Sequence, residues 1–270
     1  MSSVALITGA AGGIGAATAH RLAGGGARCV LVDVDHDAVE RLAKELGGTA
    51  VTGDVTERET SERAVALALE AYGRLDLVHL NAGIVSGVDL SAFDPERYRR
   101  AVGVNVDGVV FGVAAALPAL RRSGGGAIVV TASLAGLVGY DGDPVYTMTK
   151  HAVVGLVRAL AQPLAADGIR IGAVCPGFTD TPLVAEMRET FRGAGFPLLT
   201  AEDVAAAVES AFYAEQPGAV LVVQPGRSPV PYRFAGVPGP AGGQRPPEEV
   251  HGSPPAGTPG ATGAQDAASG

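Results

Sequence analysis

Short, mostly apolar runs alternate along the chain with longer segments in which apolar residues recur every three or four positions. Apolar runs without regular polar alternation are typical of parallel strands that are covered on both faces. They predict seven strands, at residues 4–7, 28–32, 50–52, 77–80, 127–130, 170–174 and 219–223. The helical periodicity predicts helices at residues 13–23, 38–46, 59–72, 95–122, 146–166 and 201–214.

This alternation of strands and helices predicts an α/β fold. A strand, a helix and a further strand form a right-handed crossover unit, and its repetition builds a doubly wound, seven-stranded parallel sheet with helices on both faces. Ligands bind such sheets at the carboxyl ends of the strands. We therefore expect residues with a chemical role where the predicted strands end.

Composition divides the chain near residue 226. Residues 225–270 contain ten Pro and ten Gly, with few large apolar side chains after Phe234, which is typical of a disordered segment. The remainder is long enough to bury a substantial core in one domain, since 47% of the 270 residues are hydrophobic. We expect one folded domain over residues 1–226 and a disordered tail over residues 227–270.

Charge and cysteine content exclude several other classes of protein. A net charge of −8 disfavours binding to nucleic acid, which needs clustered Lys and Arg. The two cysteines, Cys29 and Cys175, lie in apolar runs and are expected to be core thiols in a reducing compartment. The longest apolar helical run, residues 109–120, is too short for a membrane span, and no signal peptide is recognised. We expect a cytoplasmic protein that binds neither nucleic acid nor membranes.

A glycine-rich turn follows the first predicted strand. It contains Gly9, Gly13 and Gly15 and runs directly into a helical segment. Small residues allow the backbone to approach a pyrophosphate, whose charge is met by the free N–H groups at the start of the helix. The spacing differs from G-x-G-x-x-G, so a tight turn without a ligand stays open on this motif alone.

Asp33 ends the second predicted strand, 20 residues after Gly13. A carboxylate at this place can accept hydrogen bonds from both hydroxyls of an adenosine ribose and repels a 2′-phosphate. The stretches expected to carry a basic residue for that phosphate contain Ala10, Ala11 and Val34 instead. The sequence therefore favours NAD over NADP.

No metal site is predicted. A calcium loop that began at Asp33 would need Gly at its sixth position and Glu at its twelfth, where the chain has Ala38 and Lys44. The histidines lack partners at metal-ligand spacing, so they are assigned no role.

Tyr146 and Lys150 lie four residues apart on a predicted helix, which places both side chains on one face. A nearby ammonium lowers the pKa of a phenol from about 10, so such a tyrosine can take the proton of an alcohol. The spacing arises often by chance, and its value depends on the motifs around it.

Together these motifs resemble those of the short-chain dehydrogenases/reductases. The resemblance covers residues 3 to about 226 and implies a single-domain Rossmann fold with oxidoreductase activity. Agreement by chance at that many spaced positions is negligible. The matching motifs, in chain order, are Thr8-Gly-x-x-x-Gly-Ile-Gly15, Asp54-Val55, Asn81-Ala82-Gly83, Asn105, Ser133, Tyr146-x-x-x-Lys150 and Pro176-Gly177.

The resemblance also implies a set of cofactor-binding residues. The glycine turn would hold the phosphates, Asp54 and Val55 the adenine, and the segment around Thr179 and Thr181 the carboxamide of the nicotinamide. The full set is Gly9, Gly13, Ile14, Gly15, Asp33, Val34, Asp54, Val55, Asn81, Ala82, Gly83, Tyr146, Lys150, Pro176, Gly177, Thr179 and Thr181.

A catalytic tetrad of Asn105, Ser133, Tyr146 and Lys150 is implied in the same way. Ser133 would polarise the substrate oxygen, and Tyr146 would exchange a proton with it. Lys150 would lower the pKa of the tyrosine and bind the nicotinamide ribose, while Asn105 would distort its helix to hold a water that connects Lys150 to solvent. Taken singly, Asn105 also fits a helix break and Ser133 a turn cap.

The substrate would lie against the segments that follow the fourth, fifth and sixth strands. Their side chains are mostly apolar, which favours a largely hydrophobic secondary alcohol or its ketone. Arg188 and Arg192 are expected to face solvent, with a grip on a substrate carboxylate as the alternative. The predicted substrate-binding residues are Ser133, Leu134, Tyr140, Tyr146, Phe178, Leu183 and Met187.

The sequence thus predicts an NAD-dependent alcohol dehydrogenase that interconverts a hydrophobic secondary alcohol and its ketone. An NADP-dependent ketoreductase is the first alternative. A dinucleotide-binding sensor without turnover is the second, although such sensors typically lack the catalytic Tyr or Lys. The resemblance further implies a homodimer or homotetramer, since family members commonly pair their final strands and their Asn-bearing and Tyr-bearing helices.

Overall fold

The computed structural model describes residues 2–236 of the chain. Contacts divide the chain into a first unit, Met1–Tyr232, and a second unit, Arg233–Gly270. The first unit contains every helix and strand that the structure describes. Most of the tail predicted at residues 227–270 lies outside the described residues, and its disorder stays a prediction.

One sheet organises the first unit. Its strands are β1 (Val4–Thr8), β2 (Arg28–Asp33), β3 (Thr49–Thr52), β4 (Leu77–Leu80), β5 (Gly126–Thr131), β6 (Ile169–Pro176), β7 (Val220–Val223) and β8 (Val230–Pro231). They lie in the order β3-β2-β1-β4-β5-β6-β7-β8, and every pair is parallel except β7 with β8. The order reverses between β1 and β4, which is the switch point of a doubly wound fold.

Helices cover both faces of this sheet. They are α1 (Gly13–Gly24), α2 (His36–Leu46), α3 (Arg58–Tyr72), α4 (Pro95–Val102), α5 (Gly108–Arg122), α6 (Pro144–Ala165), α7 (Arg188–Gly193) and α8 (Ala201–Phe212). One apolar cluster joins the sheet to α3, α5 and α6, and a second joins it to α1, α2 and α8. Cys29 and Cys175 are buried free thiols in these clusters, as the sequence predicts.

The predicted doubly wound α/β fold is confirmed, but the strand count of seven was wrong by one. β8 lies beyond residue 226, where composition predicted only tail. A strand of two residues that contains Pro231 has no detectable periodicity, and proline is tolerated there because β8 is an edge strand. The Tyr232 N–H also donates a hydrogen bond to the Val220 carbonyl at 2.7 Å. The chain therefore continues to pair with β7 up to residue 232, beyond the predicted domain boundary at residue 226.

The predicted helix over residues 95–122 is divided by a π-helical turn, Gly103–Asp107. Within the described residues, Pro95–Arg122 is the one helix long and apolar enough to cross a membrane by length and composition alone. Its apolar residues belong to the protein core: Val113, Ala116 and Leu120 are buried between α5, α3 and the sheet. The helix is therefore accounted for as a core element.

The glycine turn brings the start of α1 against the end of β1. Gly9 and Gly13 have φ values of +61° and +51°, which residues with a Cβ atom rarely adopt. Gly15 is required for a different reason, since a Cβ there would lie 2.0 Å from the carbonyl oxygen of Gly9. Only hydrogen at this position lets the helix meet the turn.

This contact predicts opposite effects for one substitution at two places in α1. Gly15→Ala is expected to lower the free energy of unfolding by about 1–3 kcal/mol, because the added methyl overlaps backbone that cannot move freely. Gly24→Ala is expected to raise it by about 0.4–1 kcal/mol, because a Cβ there meets no atom within 4 Å and the unfolded chain loses freedom. Urea unfolding of both variants measures the difference. Equal free energies of unfolding for the two variants would contradict the close contact between Gly15 and the Gly9 carbonyl.

Candidate active site

A cavity of about 600 Å³ opens at the carboxyl ends of the parallel strands. All seven predicted substrate-binding residues line it, and so do all the predicted cofactor-binding residues except Gly15. Gly15 lies behind the turn, and Asn105 is fully buried behind the cavity wall. The residues contributed by the predicted cofactor set are Gly9, Gly13, Ile14, Asp33, Val34, Asp54, Val55, Asn81, Ala82, Gly83, Tyr146, Lys150, Pro176, Gly177, Thr179 and Thr181.

The start of α1 fits the phosphates of a dinucleotide. Within the described residues, no side chain caps this helix and its first turn contains no acidic residue, so its N–H groups are available to an anion. A Cβ on Gly12 would meet no atom within 4 Å, while one on Gly13 would meet Thr181 at 3.0 Å across the cavity. There is thus free space beside Gly12, where phosphates can approach the backbone, while Gly13 lies close to Thr181.

Asp33 faces the same cavity from the end of β2. Its carboxylate accepts the Ala11 N–H at 2.8 Å and the Asp35 N–H at 3.1 Å. These bonds fix a negative group beside the glycine turn. That position suits the pair of ribose hydroxyls that the sequence assigns to Asp33.

Asp54 is paired with a residue that the sequence did not point to. The Arg100 guanidinium lines the cavity and lies 2.5 Å from the Asp54 carboxylate. Burial acts to raise the pKa of Asp54, but hydrogen bonds from Arg100 and Thr56 hold it below its usual value. Because 46 residues separate Asp54 from Arg100, no local spacing signals the pair.

Asn105 lies in the π-helical turn, so the predicted irregularity at this residue is present. Its side-chain oxygen accepts the Ile84 N–H at 2.9 Å, and its amide donates to the Ile84 carbonyl at 2.8 Å and to Thr149 Oγ1 at 3.1 Å. These bonds connect the segment after β4 to α6. The predicted water relay to Lys150 stays a prediction.

Tyr146, Lys150 and Ser133 meet at one wall of the cavity. The Lys150 ammonium lies 5.5 Å from the centroid of the Tyr146 ring and donates to the Thr131 carbonyl at 3.0 Å. Ser133 also accepts the Ala135 N–H at 3.1 Å, so it caps a short helical turn in addition to facing the cavity. The one-face arrangement that the spacing of Tyr146 and Lys150 predicts is present.

Burial disfavours the charged form of both residues. It raises the pKa of Tyr146 to about 12, against the effect of hydrogen bonding by Ser133. Burial also lowers the pKa of Lys150 to about 8. The lowered tyrosine pKa expected from the lysine is therefore not found in the protein alone, because desolvation is the largest influence on the phenol and outweighs the hydrogen bond from Ser133. At neutral pH the phenol retains its proton.

Asp143, which the sequence did not single out, holds the N-terminus of the helix that carries this pair. Its buried carboxylate accepts the Tyr146 N–H at 2.8 Å, the Ser86 N–H at 2.8 Å and the Gly87 N–H at 3.2 Å. It also accepts the Ser86 hydroxyl in a short hydrogen bond. The cap thus joins α6 to the segment after β4 and fixes the height of Tyr146 along the cavity.

The other half of the cavity is apolar. Leu134, Leu183 and Met187 line it, and the Phe178 ring packs edge-on against Tyr140 at a centroid distance of 6.2 Å. The two arginines considered as a carboxylate grip do not line it. Arg188 pairs with Asp180 at 2.6 Å, and Arg192 pairs with Glu189 on its own helix. This arrangement agrees with the prediction that Arg188 and Arg192 face solvent.

The chain is similar to known dehydrogenases. The family model described as short chain dehydrogenase matches residues 3–192. Cyclohexanol dehydrogenase of Acinetobacter sp. (strain SE19) is 41% identical over 194 residues, which cover 70% of this chain and 77% of that protein. Borneol dehydrogenase, mitochondrial, of Lavandula x intermedia is 37% identical over 220 residues, which cover 78% of this chain and 82% of that protein.

The fold has a close match among solved structures. The crystal structure of 3-ketoacyl-(acyl-carrier-protein) reductase from Brucella melitensis complexed with NADH superposes with a TM-score of 0.78 at 34% sequence identity. The match covers 83% of this chain and 98% of that one. The family model, these relatives and the grouping of Ser133, Tyr146 and Lys150 in one cavity agree: the chain belongs to the short-chain dehydrogenases.

Proposed function

We propose that the protein is an NAD(H)-dependent oxidoreductase that interconverts a neutral, largely hydrophobic secondary alcohol and its ketone. The observation that carries the proposal is one cavity that contains the glycine turn and Asp33 as well as apolar side chains, with Ser133, Tyr146 and Lys150 in the same lining. A sensor without turnover is disfavoured, because both Tyr146 and Lys150 are present and face the cavity.

The chain's own residues would position the substrate and move its proton. A bound nicotinamide would supply the hydride acceptor in oxidation and the hydride donor in reduction. The Ser133 hydroxyl would bind the substrate oxygen and hold it beside the Tyr146 phenol. Tyr146 would give its proton to that oxygen in reduction and take it back in oxidation. Lys150 would stabilise the phenolate that proton donation leaves.

The apolar half supports an alicyclic substrate. Leu134, Phe178, Leu183 and Met187 provide walls without charge, and nearby arginines are already paired with carboxylates of the chain. The relatives named for cyclohexanol and borneol are consistent with this class. We therefore place neutral cyclic secondary alcohols and their ketones first.

Asp33 supports NAD rather than NADP. Its carboxylate is fixed at the end of β2 by the Ala11 and Asp35 N–H groups, and it would repel the additional phosphate of NADP. An NADP-dependent ketoreductase is the alternative that a binding experiment separates.

Removing the phenol hydroxyl tests the catalytic assignment. Tyr146→Phe is expected to lower kcat by about 10²–10⁴-fold, the usual contribution of a general acid or base, while NADH still binds. Steady-state kinetics and a fluorescence titration with NADH measure the two effects. Tyr213→Phe is the matched control, since Tyr213 is an exposed tyrosine outside the cavity. Turnover retained by Tyr146→Phe would refute the role given to the phenol.

The charge on Asp33 is expected to set cofactor choice. The wild-type protein should bind NADH more tightly than NADPH, and Asp33→Asn should reduce that preference by about tenfold, equivalent to about 1.4 kcal/mol. Asp37→Asn removes the same charge from the first turn of α2 and serves as control. Dissociation constants from titration of both cofactors decide the question. Tighter binding of NADPH by the wild type would reject the proposed preference.

The lowered pKa of Lys150 predicts a pH step. In ketone reduction, kcat/KM should be flat below pH 8 and fall above it, because the ammonium loses its proton near its pKa of about 8 and no longer stabilises the phenolate. The arginine of Lys150→Arg keeps its charge at these pH values. The pH profile of kcat/KM for this variant should therefore show no fall near pH 8, even if its kcat/KM is lower overall. A step that persists in Lys150→Arg would assign the titration to another group.

A further inference from the structure

A polar side chain lies in the middle of the buried sheet. His79 of β4 is 0% exposed and stands in register between Ile7 of β1 and Val129 of β5. Its ring packs edge-on against Phe212 at a centroid distance of 6.5 Å. Its Nε2 lies 2.8 Å from Thr131 Oγ1, while its Nδ1 has no hydrogen-bond partner among the described residues.

The neighbouring hydrogen bonds determine which ring nitrogen carries the proton. The Asn81 amide donates to the carbonyls of Thr8 and Gly9, at 3.2 and 3.1 Å, so its oxygen must be the atom that faces Thr131. The Thr131 hydroxyl donates to that oxygen at 3.1 Å. Having used its hydrogen, the hydroxyl can only accept from His79, which therefore carries its proton on Nε2.

The same residues adjoin both functional halves of the cavity. The Asn81 carboxamide joins the end of β4 to the glycine turn, where a Cβ on Gly9 would come within 3.1 Å of Asn81 Nδ2. The Thr131 carbonyl accepts the Lys150 ammonium at 3.0 Å. Asn81 and Thr131 line the cavity, but His79 does not. The hydrogen bond to Thr131 is therefore the polar contact that connects the His79 side chain to the cavity.

Stability alone does not account for a histidine at this position. A buried polar atom without a partner is unfavourable, and replacing both members of a buried polar pair by apolar groups is often neutral or stabilising. Burial also lowers the pKa of His79 to about 3, so the ring stays neutral at ordinary pH and cannot act as a charge. What it supplies is one fixed N–H donor.

We propose that His79 is a positioning residue for cofactor binding: its Nε2–H holds the Thr131 hydroxyl toward Asn81, and the Asn81 carboxamide in turn holds the glycine turn in the shape that receives the dinucleotide phosphates. The inference rests on the proposed function, because it presumes that the cavity binds NADH. It assigns a role to a side chain with no contact to the cavity.

Two pairs of variants test the relay. His79→Leu and Thr131→Val each remove a hydrogen-bonding group, while His79→Gln and Thr131→Ser each keep a donor or hydroxyl at the same place. Each removing variant should raise the Kd for NADH by about three- to tenfold, the size of one neutral hydrogen bond, and each conservative variant should stay near the wild-type Kd. His79→Leu should change the melting temperature little, because the loss of the donor to Thr131 is offset by removal of the unpartnered nitrogen from the core.

A merely structural role predicts a different pattern. In that case affinity would fall only together with the melting temperature, and His79→Gln would restore neither. If His79 acts through Thr131, the double variant should bind NADH no more weakly than Thr131→Val alone, whereas independent roles would give additive losses. Additive losses, or wild-type affinity in both Thr131→Val and His79→Leu, would overturn the proposal. Should His79→Leu fail to fold, His79→Met, which also lacks a hydrogen-bond donor, takes its place in the same comparison.

Failure of the relay and failure of the proposed function are separable. If the wild-type protein binds neither NADH nor NADPH, the proposed function fails before any variant is compared. If it binds NADH and the variants bind equally well, only the relay fails. A long-range ¹H–¹⁵N NMR spectrum of the histidines reads the relay without turnover: the expected signal is a neutral ring protonated at Nε2, and protonation at Nδ1 would contradict the hydrogen-bond direction.

Discussion

The close approach of the glycine turn to the ends of β1 and β4 is the constraint on which the rest of the site depends. Parallel strands end with backbone groups that need partners, and here side chains supply them: Thr8 Oγ1 accepts the N–H groups of Asn81 and Ala82, and the Asn81 amide returns to the turn. Gly15 then lets α1 begin against the carbonyl of Gly9. These contacts aim the N–H groups of α1 at the cavity.

A second set of contacts fixes the chemical end of the cavity. The Asp143 carboxylate caps α6 and binds the segment after β4, so Tyr146 and Lys150 are carried by a helix whose start is anchored. Burial then gives the pair opposite pKa shifts, upward for the phenol and downward for the ammonium. The fold and the acid–base chemistry are thus linked, because the packing that positions the residues also desolvates them.

Local patterns in the sequence predict most of this arrangement. The doubly wound fold follows from the alternating strand and helix periodicities. The position of Tyr146 and Lys150 on one face follows from their four-residue spacing on a helix. Long-range pairs were missed, such as Arg100 with Asp54 and His79 with Thr131, because residues 46 and 52 positions apart leave no periodic signal. β8 was missed for another reason: a strand of two residues, one of them a proline, is too short to show a pattern. The tyrosine pKa was misjudged because residue spacing shows that a lysine is nearby but does not show how deeply the phenol is buried, and burial raises its pKa.

The reaction proposed for this cavity is hydride transfer between an apolar secondary alcohol and a nicotinamide. Its most direct test is turnover of cyclohexanol deuterated at the carbinol carbon with NAD, followed by mass spectrometry of both products. We expect cyclohexanone and reduced cofactor that carries one deuterium for each ketone formed. Ketone formed without deuterium on the cofactor, or no ketone from any neutral alicyclic alcohol, would contradict it.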